Sequence, residues 1–219
     1  MIDGILLLDK PTDMTSFGVV ARVRRVLSQQ NGKKMKVGHC GTLDPFATGL
    51  LILCVGKETK NAMAYTKMDK VYEATIYLGK TSSTGDPEGE LTDVSNYQPT
   101  RNEIEEVVKQ FVGEIKQTPP AHSAIKVNGQ RAYVLARAGK EVEIPERKVT
   151  IHSLEVVEYA YPEVKIRTHV SSGTYIRTLA QDIGEQLQTG AYCTQLRRTR
   201  IADWDVENAQ SLGSFGITD

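Results

Sequence analysis

The sequence predicts an α+β fold built on a mainly antiparallel sheet flanked by helices, and three patterns support that prediction. Residues 71–78 and 164–170 alternate apolar and polar side chains, as half-buried strands do. Residues 176–187 place apolar side chains at helical spacing. Because these patterns are mixed along the chain without a regular strand–helix–strand repeat, they favour α+β over a doubly wound parallel sheet.

The N-terminal quarter contains a strand, a helix and a loop rich in glycine. Gly4 to Lys10 forms a short apolar strand pattern, and Thr15 or Ser16 can cap the helix that follows. The stretch GHCGTLDPFATG, residues 38–49, then precedes an apolar run over residues 50–55. We therefore expect residues 38–49 to be a loop that leads into a buried strand.

The middle of the chain alternates clear elements with polar connections. The strand at residues 71–78 is followed by a polar loop, and Thr100 with Glu103 makes a capping-box pattern before a helix that Gly113 ends. Residues 117–148 have weak periodicity, two prolines at their start and an Asn-Gly turn. This segment is expected to be an excursion from the core.

The last clear pattern is a strand, a turn and a helix. Residues 164–170 form the strand, and Ser171-Ser172-Gly173 turns the chain. The helical spacing then begins at Ile176, which places Tyr175 and Arg177 in the first turn.

Composition indicates an ordinary globular protein. The 219 residues are 40% hydrophobic and 25% charged, and the three cysteines lack CxxC spacing, which argues against a disulfide framework or a zinc ribbon. The longest apolar runs are far below the ~20 residues of a membrane span, and no basic segment typical of a signal peptide opens the chain. We expect a cytoplasmic protein without a membrane partner.

The formal net charge is zero, yet the cations are concentrated in three clusters. Two clusters lie in acid-free stretches, residues 14–43 and 115–140, and the third comprises Arg197, Arg198 and Arg200. Such clusters can form a basic face that follows phosphates, although a solvated helix face is the alternative for each of them.

Asp44 is the carboxylate in the middle of the glycine-rich loop. The three glycines and the Asp44-Pro45 step predict a rigid turn, and by local chemistry alone an ordinary turn residue is the more frequent reading of this aspartate. His39 can be a base, a stacking residue or a loop hydrogen bonder, and no second ligand at metal spacing accompanies it. No GK[ST] or GxGxxG motif indicates a phosphate loop.

Taken together, these motifs closely resemble the TruB family of tRNA pseudouridine-55 synthases. The resemblance covers almost the whole chain, with its parts in the family's order. The matching stretches are Asp9-Lys10-Pro11 with Thr15-Ser16, GHCGTLDPFATG, Gly56 to Lys60, Lys70-Val71-Tyr72, QTPPAHSAIKVNGQRAY, VSSGTYIRTLAQDIG and Leu196-Arg197-Arg198-Thr199.

The resemblance implies a pseudouridine synthase fold and a set of site residues. Asp44 matches the catalytic nucleophile of the family, and Tyr72 and Arg177 are expected to assist the catalysis. Lys60 and Arg177 match basic residues of the active site. The residues that match uridine-binding positions are His39, Tyr72, Tyr175 and Leu196.

The implied reaction breaks the N-glycosidic bond of uridine, rotates the base and rejoins it through C5. It needs one positioned carboxylate and a dry pocket but no cofactor and no metal. Asp44 can attack the ribose C1′ or the uracil C6, or act as a base at C2′. Arg177 is expected to keep Asp44 ionised through a charge-assisted contact, and Tyr72 to stack on the uracil and accept the C5 proton.

The implied partner is the T-arm stem-loop of tRNA, from which the target base must be flipped while basic residues hold the phosphates. A monomer without an obligate protein partner is expected. Three rival functions remain open: an RNA-binding helper without catalysis, a nucleoside glycosidase, and guided modification inside an RNA–protein particle.

The resemblance also carries two expectations about domain organisation. Residues 1–219 are expected to form one catalytic domain, with a mobile RNA-binding insertion at about residues 121–147 that closes over RNA. Bacterial members of the family continue past the Leu-Arg-Arg-Thr motif into a small C-terminal RNA-binding domain, which we expect to be missing here.

Overall fold

The helices and strands that the sequence predicts are present, and the structure adds several strands that it does not predict. The structure is a computed structural model that describes residues 3–121, 123, 125–127, 129–139 and 143–217. In these ranges the strands are β1 Gly4–Lys10, β2 Val37–His39, β3 Thr48–Val55, β4 Lys70–Leu78, β5 Lys80–Ser82, β6 Leu91–Asp93, β7 Gly113–Gln117, β8 Lys126–Val127, β9 Gln130–Arg131, β10 Arg147–Ala160, β11 Glu163–Val170, β12 Ala191–Ile201 and β13 Trp204–Asp205. The α-helices are α1 Ser16–Gln30, α2 Ala62–Thr66, α3 Arg101–Gln110, α4 Ala132–Arg137 and α5 Ile176–Gln186. Short 3₁₀ helices lie at Gly56–Asn61, Val206–Asn208 and Leu212–Phe215.

The chain divides into two compact units, and the division falls inside β4 and β12. Unit 1 comprises residues 1–72 and 197–219, and unit 2 comprises residues 73–196. The α+β class with a mainly antiparallel sheet is confirmed, since β1–β3, β2–β3, β10–β11 and β7–β10 all pair antiparallel.

Unit 1 is organised around β3, which is buried on both faces. Alternate β3 residues Leu51, Leu53 and Val55 pack in one cluster with the apolar stripe of α1. Leu50, Ile52 and Cys54 pack on the opposite face. Burial of both faces explains why β3 is a continuous apolar run without alternation.

The start of α1 is fixed by its cap. The Thr15 side chain accepts a hydrogen bond from the Gly18 N–H at 2.9 Å, which makes Thr15 the N-cap. Val19, Val20, Val23 and Leu27 form the buried stripe. The predicted helix is confirmed, and of the two candidate caps Thr15 is the N-cap.

In unit 2 the strand order is β4, β11, β10 and β7, and α3 packs against β10. The burial of β4 alternates as predicted, and α3 begins with the predicted capping box of Thr100 and Glu103. Strands β7, β10 and β12 were not predicted. The described part of the excursion contains β8, β9 and α4, while residues 122, 124, 128 and 140–142 of the expected mobile insertion lie outside the described residues.

None of the helices in the described ranges is long and apolar enough to cross a membrane.

Candidate active site

Asp44 lies half-buried in the loop that joins β2 to β3 in unit 1. Its carbonyl accepts a hydrogen bond from the Ala47 N–H at 3.2 Å, which closes a tight turn around Pro45. Leu43 and Ala47, on either side, are buried. The predicted rigid turn is therefore present, and its flanking apolar side chains anchor it in the core.

Ser16, the first residue of α1, holds the loop just before Asp44. Its hydroxyl accepts from the Leu43 N–H at 2.8 Å and donates to the Leu43 carbonyl at 3.0 Å. Both backbone groups of Leu43 are thus satisfied by one buried side chain, which fixes the peptide plane next to Asp44.

Lys10, the last residue of β1, holds the loop just after Asp44. Its ammonium donates to the carbonyls of Pro11 at 2.7 Å, Met14 at 2.6 Å and Pro45 at 3.1 Å, and the residue is fully buried. Burial lowers the pKa of Lys10 from its ordinary 10.5 to about 8, against the opposing attraction of Asp13 and Asp44. Three carbonyls satisfy all three ammonium donors in the charged form.

Arg198, on β12, holds the glycine side of the loop. Its guanidinium donates to the carbonyls of Leu50 at 2.8 Å, Gly41 at 3.2 Å and Thr42 at 3.5 Å. Only 1% of Arg198 is exposed. In the third basic cluster of the sequence, Arg198 is internal and Arg197 forms an ion pair with Asp9 at 2.7 Å, whereas Arg200 is exposed.

A close approach of two strands explains the last glycine of the loop. Gly49 has a φ of +102° and pairs with Arg198 across the parallel β3–β12 contact. A Cβ built on Gly49 would lie 2.3 Å from the Arg198 carbonyl oxygen. Only glycine allows both this conformation and this contact.

Two thiols also meet beside the loop. Cys40 and Cys54 are buried, free cysteines whose Sγ atoms are 3.0 Å apart. Burial raises the pKa of both thiols, which keeps them protonated at neutral pH.

Unit 1 contains three other residues that the sequence singled out. His39 is the half-buried last residue of β2 and pairs with Leu53 of β3. Tyr72 lies on β4 with 8% of its surface exposed. Lys60 is exposed on the 3₁₀ helix that follows β3.

In unit 2, Arg177 is the second residue of α5 and is buried against Asp86. Its guanidinium donates to the Asp86 carboxylate at 2.7 Å and to the Thr84 carbonyl at 2.9 Å. The side chains of Arg177 and Asp86 are 3% and 7% exposed. Asp86 in turn accepts from the Thr84 hydroxyl at 2.5 Å and the Glu88 N–H at 3.1 Å.

This ion pair gives Asp86 a role that the sequence analysis missed. Asp86 lies in the polar loop that follows the strand of residues 71–78, and the sequence patterns assign it no function. A signal exists in the sequence, since Thr84-Gly85-Asp86 is typical of a tight turn in which the aspartate bonds local backbone. The pairing of Arg177 with Asp44 stays a prediction.

Tyr175 and Leu196 complete the candidates of unit 2. The Tyr175 backbone is held by the Gln117 side chain, which accepts from its N–H at 3.0 Å and donates to its carbonyl at 3.2 Å. Leu196 is buried on β12. Gln117 was not predicted to contribute, because it lies 58 residues from Tyr175 in the chain.

Comparison with protein families gives two matches. Residues 24–176 match the TruB family pseudouridylate synthase N-terminal domain. Residues 177–215 match the tRNA pseudouridylate synthase B C-terminal domain.

Curated relatives are similar over nearly the whole chain. A protein of Flavobacterium johnsoniae named tRNA pseudouridine synthase B is 46% identical over 217 residues, with 96% of this chain and 93% of the relative covered. A protein of Azoarcus with the same name is 47% identical, and the alignment covers 97% of this chain and 69% of the relative.

Solved structures are similar in fold. The chain in the crystal structure of a Cbf5-Nop10-Gar1 complex is 31% identical with a TM-score of 0.74; the alignment covers 96% of this chain, which spans about half, 52%, of that chain. A crystal structure of a pseudouridylate synthase has a TM-score of 0.50 at 13% identity, with 96% of this chain and 69% of that chain covered, and shows likeness of fold alone. The motifs, the fold and these matches agree, and the chain belongs to the TruB family of pseudouridylate synthases.

Proposed function

We propose that this protein isomerises uridine 55 in the T-arm loop of tRNA to pseudouridine. The relatives named tRNA pseudouridine synthase B support tRNA as the substrate class. The observation that carries the proposal is the loop of Asp44, whose backbone is held on both sides by the buried side chains of Ser16, Lys10 and Arg198. A carboxylate on so constrained a loop is preorganised for attack.

The reaction conserves all atoms of the nucleoside. The C1′–N1 bond breaks, the uracil rotates, and a C1′–C5 bond forms; C5 then loses a proton and N1 gains one. Asp44 attacks the ribose C1′ or the uracil C6, or acts as a base at C2′, and each of these roles requires it to be ionised when uridine binds. Asp44 and the buried ammonium of Lys10 attract each other by their opposite charges.

The other residues receive the roles that the family resemblance implies. Arg177 keeps Asp44 ionised and aimed, while Asp86 and Thr84 fix the guanidinium itself. Tyr72 stacks on the uracil and takes the C5 proton, directly or through water. The uridine-binding contacts come from His39, Lys60, Tyr175 and Leu196.

Base flipping is the step for which tRNA binding is needed. The target uridine lies inside a folded RNA loop, so unstacking it costs a few kcal/mol that contacts to the RNA backbone must offset. A site that excludes water protects the detached base and the intermediate from hydrolysis.

The direct test is to incubate the protein with an unmodified tRNA transcript and map pseudouridine along it. We expect pseudouridine at position 55 only, with no release of free uracil. Free uracil would identify a glycosidase instead, and RNA binding without any product would identify an RNA-binding helper.

A further inference from the structure

We propose that the solvent face of α1 and the turn after it bind the phosphate backbone of the RNA substrate, with Phe17 as a stacking platform. We call this the α1 surface; it comprises Phe17, Arg22, Arg24, Arg25, Lys33, Lys34 and Lys36. The inference rests on the proposed function, because it names where the same RNA substrate docks.

The α1 surface carries six cations within fifteen residues and no acid. Five of the cations are exposed and Arg24 is half-buried. Among the described residues none of the six forms an ion pair, and Arg22 donates only to the Gly18 carbonyl of its own helix, at 3.4 Å.

Many cations elsewhere in the described part of the chain form ion pairs with acids. Lys116 pairs with Glu146, and Arg197 with Asp9. Further pairs join acids to Lys80, Arg101, Lys109, Lys148, Arg167 and Arg177. The first basic cluster therefore presents five exposed cations that form no ion pair with the described residues.

Phe17 adds an exposed aromatic ring to the α1 surface, which is unusual for a helix face that only contacts solvent. It is 63% exposed on the first turn of α1, and the Arg24 guanidinium lies 5.9 Å from the centre of its ring. An aromatic ring flanked by arginine is the arrangement on which unpaired bases stack in proteins that bind single-stranded RNA.

The α1 surface starts at the loop of Asp44. Ser16, which holds Leu43, is the direct neighbour of Phe17. From there α1 runs for 15 residues, a length of about 22 Å at 1.5 Å per residue. RNA whose reacting uridine is at Asp44 can thus extend along a row of cations.

The expected partner is a polyanion because uncompensated, closely spaced cations repel one another and gain most from phosphates, whose bound counterions are released. An RNA stem provides a row of phosphates, and the loop next to it provides bases for Phe17.

The test measures binding of an unmodified tRNA transcript between 50 and 200 mM salt. The variant is the double charge reversal Arg22→Glu with Arg25→Glu. Its control is Lys67→Glu with Lys109→Glu, two exposed cations outside the α1 surface, which changes the net charge equally. Circular dichroism checks that all proteins are folded.

We expect the variant to weaken binding roughly tenfold or more and to reduce the log–log salt slope by about 1.4 to 1.8, or 0.7 to 0.9 for each contact. The control should bind within about twofold of the unaltered protein. Phe17→Ala should weaken binding by about fivefold or more, the lower end of one stacked base, whereas Met63→Ala, which truncates another exposed apolar side chain, should not.

Equal affinities and salt slopes for the α1 variant and its control would overturn the proposal, as would Phe17→Ala binding like Met63→Ala. Formation of pseudouridine by the unaltered protein is scored separately. If the protein binds tRNA through the α1 surface but forms no pseudouridine, the proposed function fails and the docking surface stands.

Discussion

Arg177 and Asp86 are buried together, so each charge depends on the other for its stability. Both lie in unit 2, on α5 and in the loop after β5. Removing one member of such a buried pair takes a charged partner away from the other, which costs about 3 to 5 kcal/mol. A surface pair of the same chemical type contributes about 0 to 1 kcal/mol, because water screens it.

Replacing Asp86 by alanine should therefore lower the free energy of unfolding by about 3 to 5 kcal/mol. It should also slow pseudouridine formation at saturating tRNA, since Arg177 loses the carboxylate that fixes it. Chemical denaturation and single-turnover kinetics give the two readouts.

The matched control is Asp93→Ala, which removes an exposed carboxylate paired with Lys80. Its unfolding free energy should change by no more than about 1 kcal/mol, with the rate unaltered. Equal effects of the two substitutions would show that the buried Arg177–Asp86 pair contributes no more to stability or to the rate than the exposed pair does.

At the scale of elements, three segments distant in sequence meet at the loop of Asp44. The end of β1 contributes Lys10, the start of α1 contributes Ser16, and β12 contributes Arg198. Their acceptors are backbone carbonyls, so they fix the path of the loop whatever its side chains are.

Substitutions of two adjacent residues at the start of α1 distinguish the capping of the helix from the positioning of the Asp44 loop. Thr15→Ala removes the N-cap and should cost about 1 kcal/mol of stability, with little effect on the rate. Ser16→Ala leaves the N–H and carbonyl of Leu43 without their partner, which should cost about 1 to 3 kcal/mol and also lower kcat.

Denaturation curves and kcat on tRNA, measured for both variants, decide the matter. If Thr15→Ala lowers kcat as much as Ser16→Ala does, the Ser16–Leu43 contact is not what positions Asp44.

The β3–β12 contact offers a second prediction at this scale. Gly49 and Gly113 both have positive φ, +102° and +116°. A Cβ at Gly49 meets the Arg198 backbone at 2.3 Å, whereas a Cβ at Gly113 meets nothing within 4 Å. Gly113→Ala should cost about 1 to 2 kcal/mol from backbone strain, and Gly49→Ala more than about 4 kcal/mol.

Thermal unfolding of the two alanine variants compares them directly. Similar melting temperatures would mean that β12 shifts easily away from β3, contrary to the packing described here.

At the scale of the whole molecule, buried lysines make stability depend on pH. Burial lowers the pKa of Lys10 to about 8, and burial together with the charge of Arg198 lowers that of Lys70 to about 8 as well. Lys70 donates to the carbonyls of Thr66 and Met68. Between about pH 8 and 10.5 the unfolded chain holds these protons while the folded chain has released them, so stability should rise with pH in that window.

The rise should be about 1 kcal/mol for each lysine between pH 7.5 and 9. Burial raises the pKa values of the Cys40 and Cys54 thiols, so above pH 9 these thiols lower the stability of the fold as the pH rises. The measurement is therefore the free energy of unfolding of the unaltered protein minus that of Lys70→Met at each pH. The contribution of the thiols cancels in this difference. A difference that does not change with pH would refute the lowered pKa of Lys70.

The sequence predicted those parts of the molecule whose signals are local. The strand pattern of residues 71–78, the capping box of α3 and the rigid turn at Asp44 were all correct. Strand β10 was missed because two register shifts, at Ile151/Ser153 and Val156/Glu158, break its alternation. Strand β12 was missed because its arginines look like a surface cluster, although Arg198 is buried.

Contacts between distant residues had no local signal. Lys10 and Pro45 are 35 positions apart, and Arg177 and Asp86 are 91 apart. The sequence motifs identified Arg177 through family resemblance, but they could not indicate that Asp86 is bonded to it.

The most direct test of catalysis by Asp44 compares the unaltered protein with Asp44→Asn on an unmodified tRNA transcript, with pseudouridine mapped at every uridine. Asparagine preserves the size of the side chain and the turn but removes the carboxylate. We predict stoichiometric pseudouridine at position 55 for the unaltered protein, and none for Asp44→Asn despite equal tRNA affinity. Multiple turnover by Asp44→Asn, with deamidation excluded by mass spectrometry, would contradict the account.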